Sequence, residues 1–155
     1  MSQATKALLG LLARRGRSRG ELVQALERKG YEPDVIREAL SRIDRFGYVD
    51  DHKFAQERAE SLLRHGKLGS GVVVSRLLAA GIPEDAAKEA VSRATSNLEV
   101  DEQAEARALL RARGISLPIK ESKQYAKAMR ALSARGFSED VAVAVLGPAV
   151  DFQVE

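Results

Sequence analysis

Apolar residues recur along this chain three or four positions apart, and short polar or glycine-bearing stretches break the runs. Leu8, Leu11 and Leu12 fall on one face of a helix predicted over about residues 4–14. Ser18-Arg-Gly-Glu21 has the form of a capping box, in which a serine hydroxyl and a glutamate carboxylate reciprocally satisfy free backbone N–H groups. It opens a second helix with Leu22, Ala25 and Leu26 turned inward. A third helix follows from Pro33, with Ile36, Leu40 and Ile43 at helical spacing.

The end of that second helix and the start of the third recur twice more. Leu26-Glu-Arg-Lys-Gly30-Tyr31-Glu-Pro-Asp34-Val35-Ile36 aligns without gaps with Leu77-Leu-Ala-Ala-Gly81-Ile82-Pro-Glu-Asp85-Ala86-Ala87. Both align with Leu132-Ser-Ala-Arg-Gly136-Phe137-Ser-Glu-Asp140-Val141-Ala142, at offsets of 51 and 55 residues. Physics gives each position a job. The glycine closes a helix in the left-handed conformation, which has no Cβ penalty there. The large apolar residue after it (Tyr31, Ile82 or Phe137) is expected to fold back onto the helix just left. The acidic residues beyond favour the positive end of the next helix dipole.

Two helices precede each copy of this turn. In the second unit Asp50 or Asp51 caps a helix carrying Phe54, Ala55, Ala59 and Leu62. After the break at Gly66–Gly71, Val73, Val74, Leu77 and Leu78 continue on another. The run Val72-Val73-Val74 suits a strand by propensity, but the repeat register makes it helix. The third unit has helices near 99–113 and 120–135, separated by Gly114-Ile-Ser-Leu-Pro118, which accounts for the longer offset. The fold class is therefore all-α, with three tandem three-helix repeats over residues 1–49, 50–97 and 98–147. A short tail, 148–155, completes the chain.

At 155 residues, 45% apolar and 30% charged, the chain has the balance of a folded protein and needs no disulfide or metal to fold. It has no cysteine, which excludes disulfides and thiolate chemistry. The apolar stretch near the start is too short for an exported leader, and none nears the roughly 18 residues of a membrane span. The expected location is the cytoplasm, with no membrane partner. The net charge of +3 is uneven: residues 1–49 hold 10 Lys/Arg against 6 Asp/Glu, residues 50–97 hold 7 against 7, and residues 98–155 hold 8 against 9. The basic excess falls in the first third and hints at a polyanionic or acidic partner.

Candidate chemistry is sparse. His52 and His65 stand thirteen apart, on no metal-ligand spacing. Asp50-Asp51 lacks the further oxygen ligands of a calcium loop and suits a helix cap better. Gly69-Ser70-Gly71 lacks the Gly-Lys-Ser/Thr end of a phosphate loop and follows a helix, so it is expected to be a flexible turn. No enzyme activity, metal, cofactor or small-molecule substrate is expected; the chain should be a binding module. Arg14, Arg15, Arg17 and Arg19 crowd the first inter-helix turn, with Arg28 and Lys29 at the end of the next helix, and Arg64 and Lys67 at the corresponding place in the second unit. Without aromatics for base stacking they suit phosphate or carboxylate contact, or, in the plainer reading, Arg14 and Arg15 merely close a helix C-terminus. These eight residues are the candidate partner- or DNA-binding set.

Several segments together resemble the RecX family, regulators of the RecA recombinase. They are Arg17-Ser18-Arg-Gly-Glu21-Leu22 through Lys29-Gly30-Tyr31, then Phe46-Gly47-Tyr48-Val49-Asp50-Asp51-His-Lys-Phe54-Ala55, then Gly69-x-Gly71 with Leu77-x₃-Gly81-Ile82, and Arg135-Gly136-Phe137-Ser138. The resemblance spans about residues 4–147. Two departures are the insertion near Gly114–Pro118 and a Gly-Ser-Gly where Gly-Pro is expected. The resemblance implies a curved, elongated array of three-helix repeats that binds RecA filaments on DNA and restrains RecA ATP hydrolysis and strand exchange, with no catalytic site of its own. The DNA phosphate backbone is a second candidate partner. Competing readings are a helix-turn-helix repressor and a helical adaptor for another protein. Against the repressor, the third helices of the later units (Ala86, Ala87, Ala90, Val91; Val141, Ala142, Val145) carry few side chains able to read bases.

Overall fold

The structure, a computed structural model, describes residues 2–47 and 49–148. Tyr48 of the family-like segment and residues 149–155 of the expected tail lie outside the described residues. Among the described residues there are nine helices and no strand: α1 (Gln3–Arg14), α2 (Arg19–Arg28), α3 (Pro33–Asp44), α4 (Asp51–Arg64), α5 (Ser70–Ala79), α6 (Glu84–Asn97), α7 (Glu102–Ala112), α8 (Ser122–Ala134) and α9 (Glu139–Leu146). The valine run lies inside α5, as the repeat register required.

Each set of three helices buries a core of its own. Leu8, Leu22, Leu26, Ile36, Leu40 and Ile43 fill the first. Phe54, Leu62, Val73, Leu77, Ile82 and Val91 are among those filling the second. Leu109, Leu110, Tyr125, Leu132, Phe137 and Leu146 are prominent in the third. The first and third helices of each set make the broadest packing face, and the middle helix closes the remaining side. Full burial of one such leucine is worth about 1.5–3 kcal/mol, so the stability of each set is largely internal.

The turns follow from backbone accounting. In each unit the residue after the glycine donates its N–H to the third-last residue of the helix: Tyr31 to Leu26 O, Ile82 to Leu77 O and Phe137 to Leu132 O, at 3.0–3.2 Å. The glycine N–H bonds one residue further on, to Glu27, Leu78 and Ser133. This pair of bonds satisfies carbonyls that a helix end leaves free, and it requires the glycine in the left-handed region. Gly30, Gly81 and Gly136 have φ of +88°, +89° and +87°. Ile82 and Phe137 are buried behind it, and Tyr31 packs against the first core.

One boundary moved. The third unit was expected to enter its first helix near residue 99. Instead, Glu99 adopts φ +53° and closes α6 by the same pair of bonds, with Glu99 N–H to Ser96 O and Val100 N–H to Thr95 O. Asp101 then caps α7 by accepting from Ala104 N at 3.1 Å. A glutamate in the glycine role gives no sequence signal, which is why the closure was invisible.

Candidate functional site

The eight predicted basic residues lie in three places. Arg14 is exposed on the last turn of α1. Its neighbours are engaged with their own chain: Arg15 pairs with Glu21 at 3.4 Å, Arg17 Nε donates to Leu11 O at 3.2 Å, and Arg19 holds both oxygens of Asp44 at 2.7 Å. Arg28 and Lys29 are exposed at the far end of α2, about 14 Å from Arg19 along the helix axis. Arg64 approaches Glu60 at 3.5 Å, and the Lys67 N–H donates to Glu105 Oε2 at 2.6 Å. Glu60 titrates below its ordinary value chiefly because Gln56 donates to it, with smaller help from Asn97 and Arg64.

The turns bearing these residues are where consecutive units meet. Ser18, fully buried, caps α2 by accepting from Glu21 N, and its own hydroxyl donates to Ala80 O of the second unit. Arg19 N–H, free at the start of α2, donates to Asp51 Oδ1 at 2.8 Å. Gly20 lies against Gly81, so closely that a Cβ on Gly20 would stand 2.9 Å from Gly81 Cα. The second junction repeats this arrangement. Ser70 N–H, at the start of α5, donates to Glu102 Oε1 at 2.9 Å. Gly69 and Gly71 N–H donate to Arg135 O and Gly136 O at 2.8 and 3.0 Å.

Each junction therefore seats the start of one unit's middle helix on the glycine turn of the next. A carboxylate at the start of that next unit's first helix holds it there. Every inter-unit hydrogen bond among the described residues joins neighbours in chain order. Gly69-Ser70-Gly71, expected to be a flexible turn, is a packed joint in which side chains would collide. The signal was present in the sequence, since Gly20 and Gly71 stand 51 apart like the rest of the repeat.

Asp50 caps α4 by accepting from Lys53 N, while Asp51 is spent on the junction. Phe46, in the family-like segment, is 71% exposed and borders a hollow with Arg42 and Arg45. Among the described residues no three His, Cys, Asp or Glu side chains group to hold an ion. No helix among them is long and apolar enough to cross a membrane.

These features define a tandem array of three-helix units joined in chain order by backbone and side-chain hydrogen bonds, a scaffold of the kind that presents surfaces to other macromolecules. A family model described as RecX, first three-helix domain, matches residues 4–42. The regulatory protein RecX of Stenotrophomonas maltophilia is 34% identical over 133 residues, covering 85% of this chain and 78% of that one. The regulatory protein RecX of Chlorobaculum tepidum is 35% identical over 91 residues, covering 59% of this chain and 57% of that relative's length. A crystal structure of RecX from Lactobacillus salivarius superposes with a TM-score of 0.72 at 22% identity, covering 92% of both chains, and bears on the fold alone. The chain belongs to the RecX family, whose members here are regulatory proteins.

Proposed function

We propose that this chain binds RecA recombinase filaments on DNA and restrains their ATP hydrolysis and strand exchange, performing no chemistry itself. The observation that carries this reading is the pair of equivalent junctions. They set like units in one repeating register, and a repeating scaffold suits a partner that also presents like surfaces at regular intervals. Phe46 beside Arg42 and Arg45 adds a surface of the composition that dominates protein interfaces, an exposed aromatic among arginines. Of the predicted cations, Arg14, Arg28, Lys29 and Lys67 are exposed with no ion pair among the described residues, and they would meet an acidic face of the filament. Arg15, Arg17, Arg19 and Arg64 bond chiefly to their own chain.

The helix-turn-helix reading loses ground. A recognition helix presents its N-terminal residues to base edges. Here α3, α6 and α9 open with Asp34, with Glu84 and Asp85, and with Glu139 and Asp140, carboxylates that repel phosphate. The test is DNA-dependent ATP hydrolysis by RecA with this protein at substoichiometric amounts. A fall in turnover is expected, with no ATP hydrolysis by the protein alone. Unchanged turnover at equimolar protein overturns the reading, and ATPase activity that follows the protein peak through repurification overturns its non-enzymatic part.

A further inference from the structure

The third unit as a whole is charge-balanced, yet its charges are segregated. Residues 106–138 hold eight Lys/Arg and a single acidic residue, Glu121. The remaining carboxylates of the unit sit elsewhere: Glu99 closes α6, Asp101 caps α7, Glu102 and Glu105 are bonded to backbone N–H groups of the second unit, and Glu139 and Asp140 open α9. All seven ion pairs among the described residues lie between residues 15 and 93. The cations of α7 and α8 thus lack the intramolecular partners that most of the first unit's turn arginines have.

Their placement is ordered. Lys123, Lys127 and Arg130 are exposed at spacings of four and three on α8, opposite its buried Tyr125, Ala128 and Leu132. They form a stripe about 10 Å long along the helix axis, a length over which duplex DNA presents about six phosphate charges. Arg107 and Arg111, one turn apart on α7, border the Gly114–Ser116 loop on one side. Lys120 and Lys127 border it on the other. Local stability does not account for the stripe. Lys123 is in the first turn of α8, which holds no acidic residue, and Glu121 makes no side-chain capping bond. A cation there opposes the helix dipole. No aromatic ring is offered for stacking, since Tyr125 is buried with its hydroxyl donating to Gly147 O at 2.7 Å.

We infer that the α7–α8 face of the third unit is a nucleic-acid surface that grips the phosphodiester backbone without reading sequence. It moves the DNA contact away from the first unit's arginines. It does not rest on the recombinase reading, because naked nucleic acid is the ligand.

The test is salt-dependent binding of the full chain to fluorescent single- and double-stranded DNA of arbitrary sequence, with no recombinase present. The variant carries Lys123→Glu, Lys127→Glu and Arg130→Glu. It should keep its helix content, because the first of these changes suits the helix dipole. Binding at low salt should weaken by at least about tenfold. The slope of log affinity against log salt should flatten by about 2.7 on duplex and about 2 on single strands, three phosphate contacts at the slope each carries. A matched variant with Arg14→Glu, Arg28→Glu and Lys29→Glu should lose less. Unchanged affinity and slope in the α8 variant overturns the inference, as does a loss no greater than the first-unit variant shows. Loss of recombinase-filament binding with naked DNA binding intact also overturns it, and makes the face a protein interface.

Discussion

Three glycines with nearly equal φ in three different surroundings allow the junctions to be weighed separately from the turns. Each of Gly30, Gly81 and Gly136 follows a middle helix with φ between +87° and +89°. An alanine at any of them carries the same backbone penalty, on the order of 1 kcal/mol. At Gly30 the added carbon would meet nothing within 4 Å, so that penalty is the whole effect. At Gly81 it would stand 2.9 Å from Gly20 Cα, whereas carbon atoms rest about 3.5–4.0 Å apart. The first two units must separate by about 0.6 Å or more, which stretches the 2.8 Å Arg19–Asp51 bond past the usual range of about 2.7–3.2 Å and weakens it. A hydrogen bond to a charged group contributes about 1.5–3 kcal/mol, so weakening it on top of the backbone penalty should make Gly81→Ala cost about 2–3 kcal/mol in all.

At Gly136 the added carbon would overlap the Val72 backbone and its Cβ, neither of which can rotate away. The start of α5 must then lift off, giving up the bonds from Gly69 and Gly71 as well. The cost should reach about 3 kcal/mol or more, at about 0.5–1.5 kcal/mol for each neutral bond, about 1.5–3 kcal/mol for the Ser70–Glu102 bond that goes with them and about 1 kcal/mol for the backbone. Urea unfolding followed by circular dichroism should therefore rank the variants Gly30→Ala, Gly81→Ala, Gly136→Ala in rising order of damage. Amide hydrogen exchange should show faster exchange at Arg19 in Gly81→Ala and at Gly71 in Gly136→Ala, with neither changed in Gly30→Ala. Equal losses in all three, with both amides still protected, would refute the junction as a source of stability.

Asp51→Ala removes the acceptor of Arg19 N–H and a favourable charge from the start of α4, so it should cost about 2–4 kcal/mol in urea unfolding and speed exchange at Arg19. Glu99→Gly relieves a side chain held at φ +53° and should raise stability by up to about 1 kcal/mol, read as a higher urea midpoint. Glu84 lies below its ordinary pKa, and Lys88 above its own, because Lys88 Nζ donates to Glu84 Oε1 at 2.8 Å and the charges attract. The glutamate's contribution is present above its ordinary pKa and fades as pH falls through the lowered value. The lysine's is present below its ordinary pKa and fades as pH rises through the raised one. In Lys88→Met, NMR titration should find the Glu84 carboxyl returned toward the usual glutamate range.

The helices and turns were legible because their causes are local. A capping serine, a glycine past a helix end and an apolar residue after it act within a few positions of one another, and all three copies formed as their residues imply. The partner surfaces were harder to read because their determinants are distant in sequence. Arg19 looked free for a ligand since its counter-ion, Asp44, stands 25 residues away across the first core. The charge of the third unit was hidden by averaging, because carboxylates at both ends of residues 98–155 cancel a run of cations between them. Charge becomes informative when counted over a face, and the face is known only once the helices are placed.

The second position of the middle helices ties these observations together. It holds Gly20 in the first unit, Gly71 in the second and Lys123 in the third. In the first two, the missing side chain lets a helix start close onto the glycine turn of the following unit, and a Cβ there would come within 2.9 Å of that turn's backbone. A lysine meets the same geometry with five side-chain atoms and a charge, so no glycine turn could seat on α8 as the others seat on α2 and α5. The residue before the helix agrees. Ser18 and Gly69 are buried in their joints, while Glu121 stands exposed. The change that prevents another unit from docking also leaves the start of α8 open and positively charged. The third unit therefore departs from the repeat where a basic stripe begins, and the loss of the joint and the gain of the surface share one residue, Lys123.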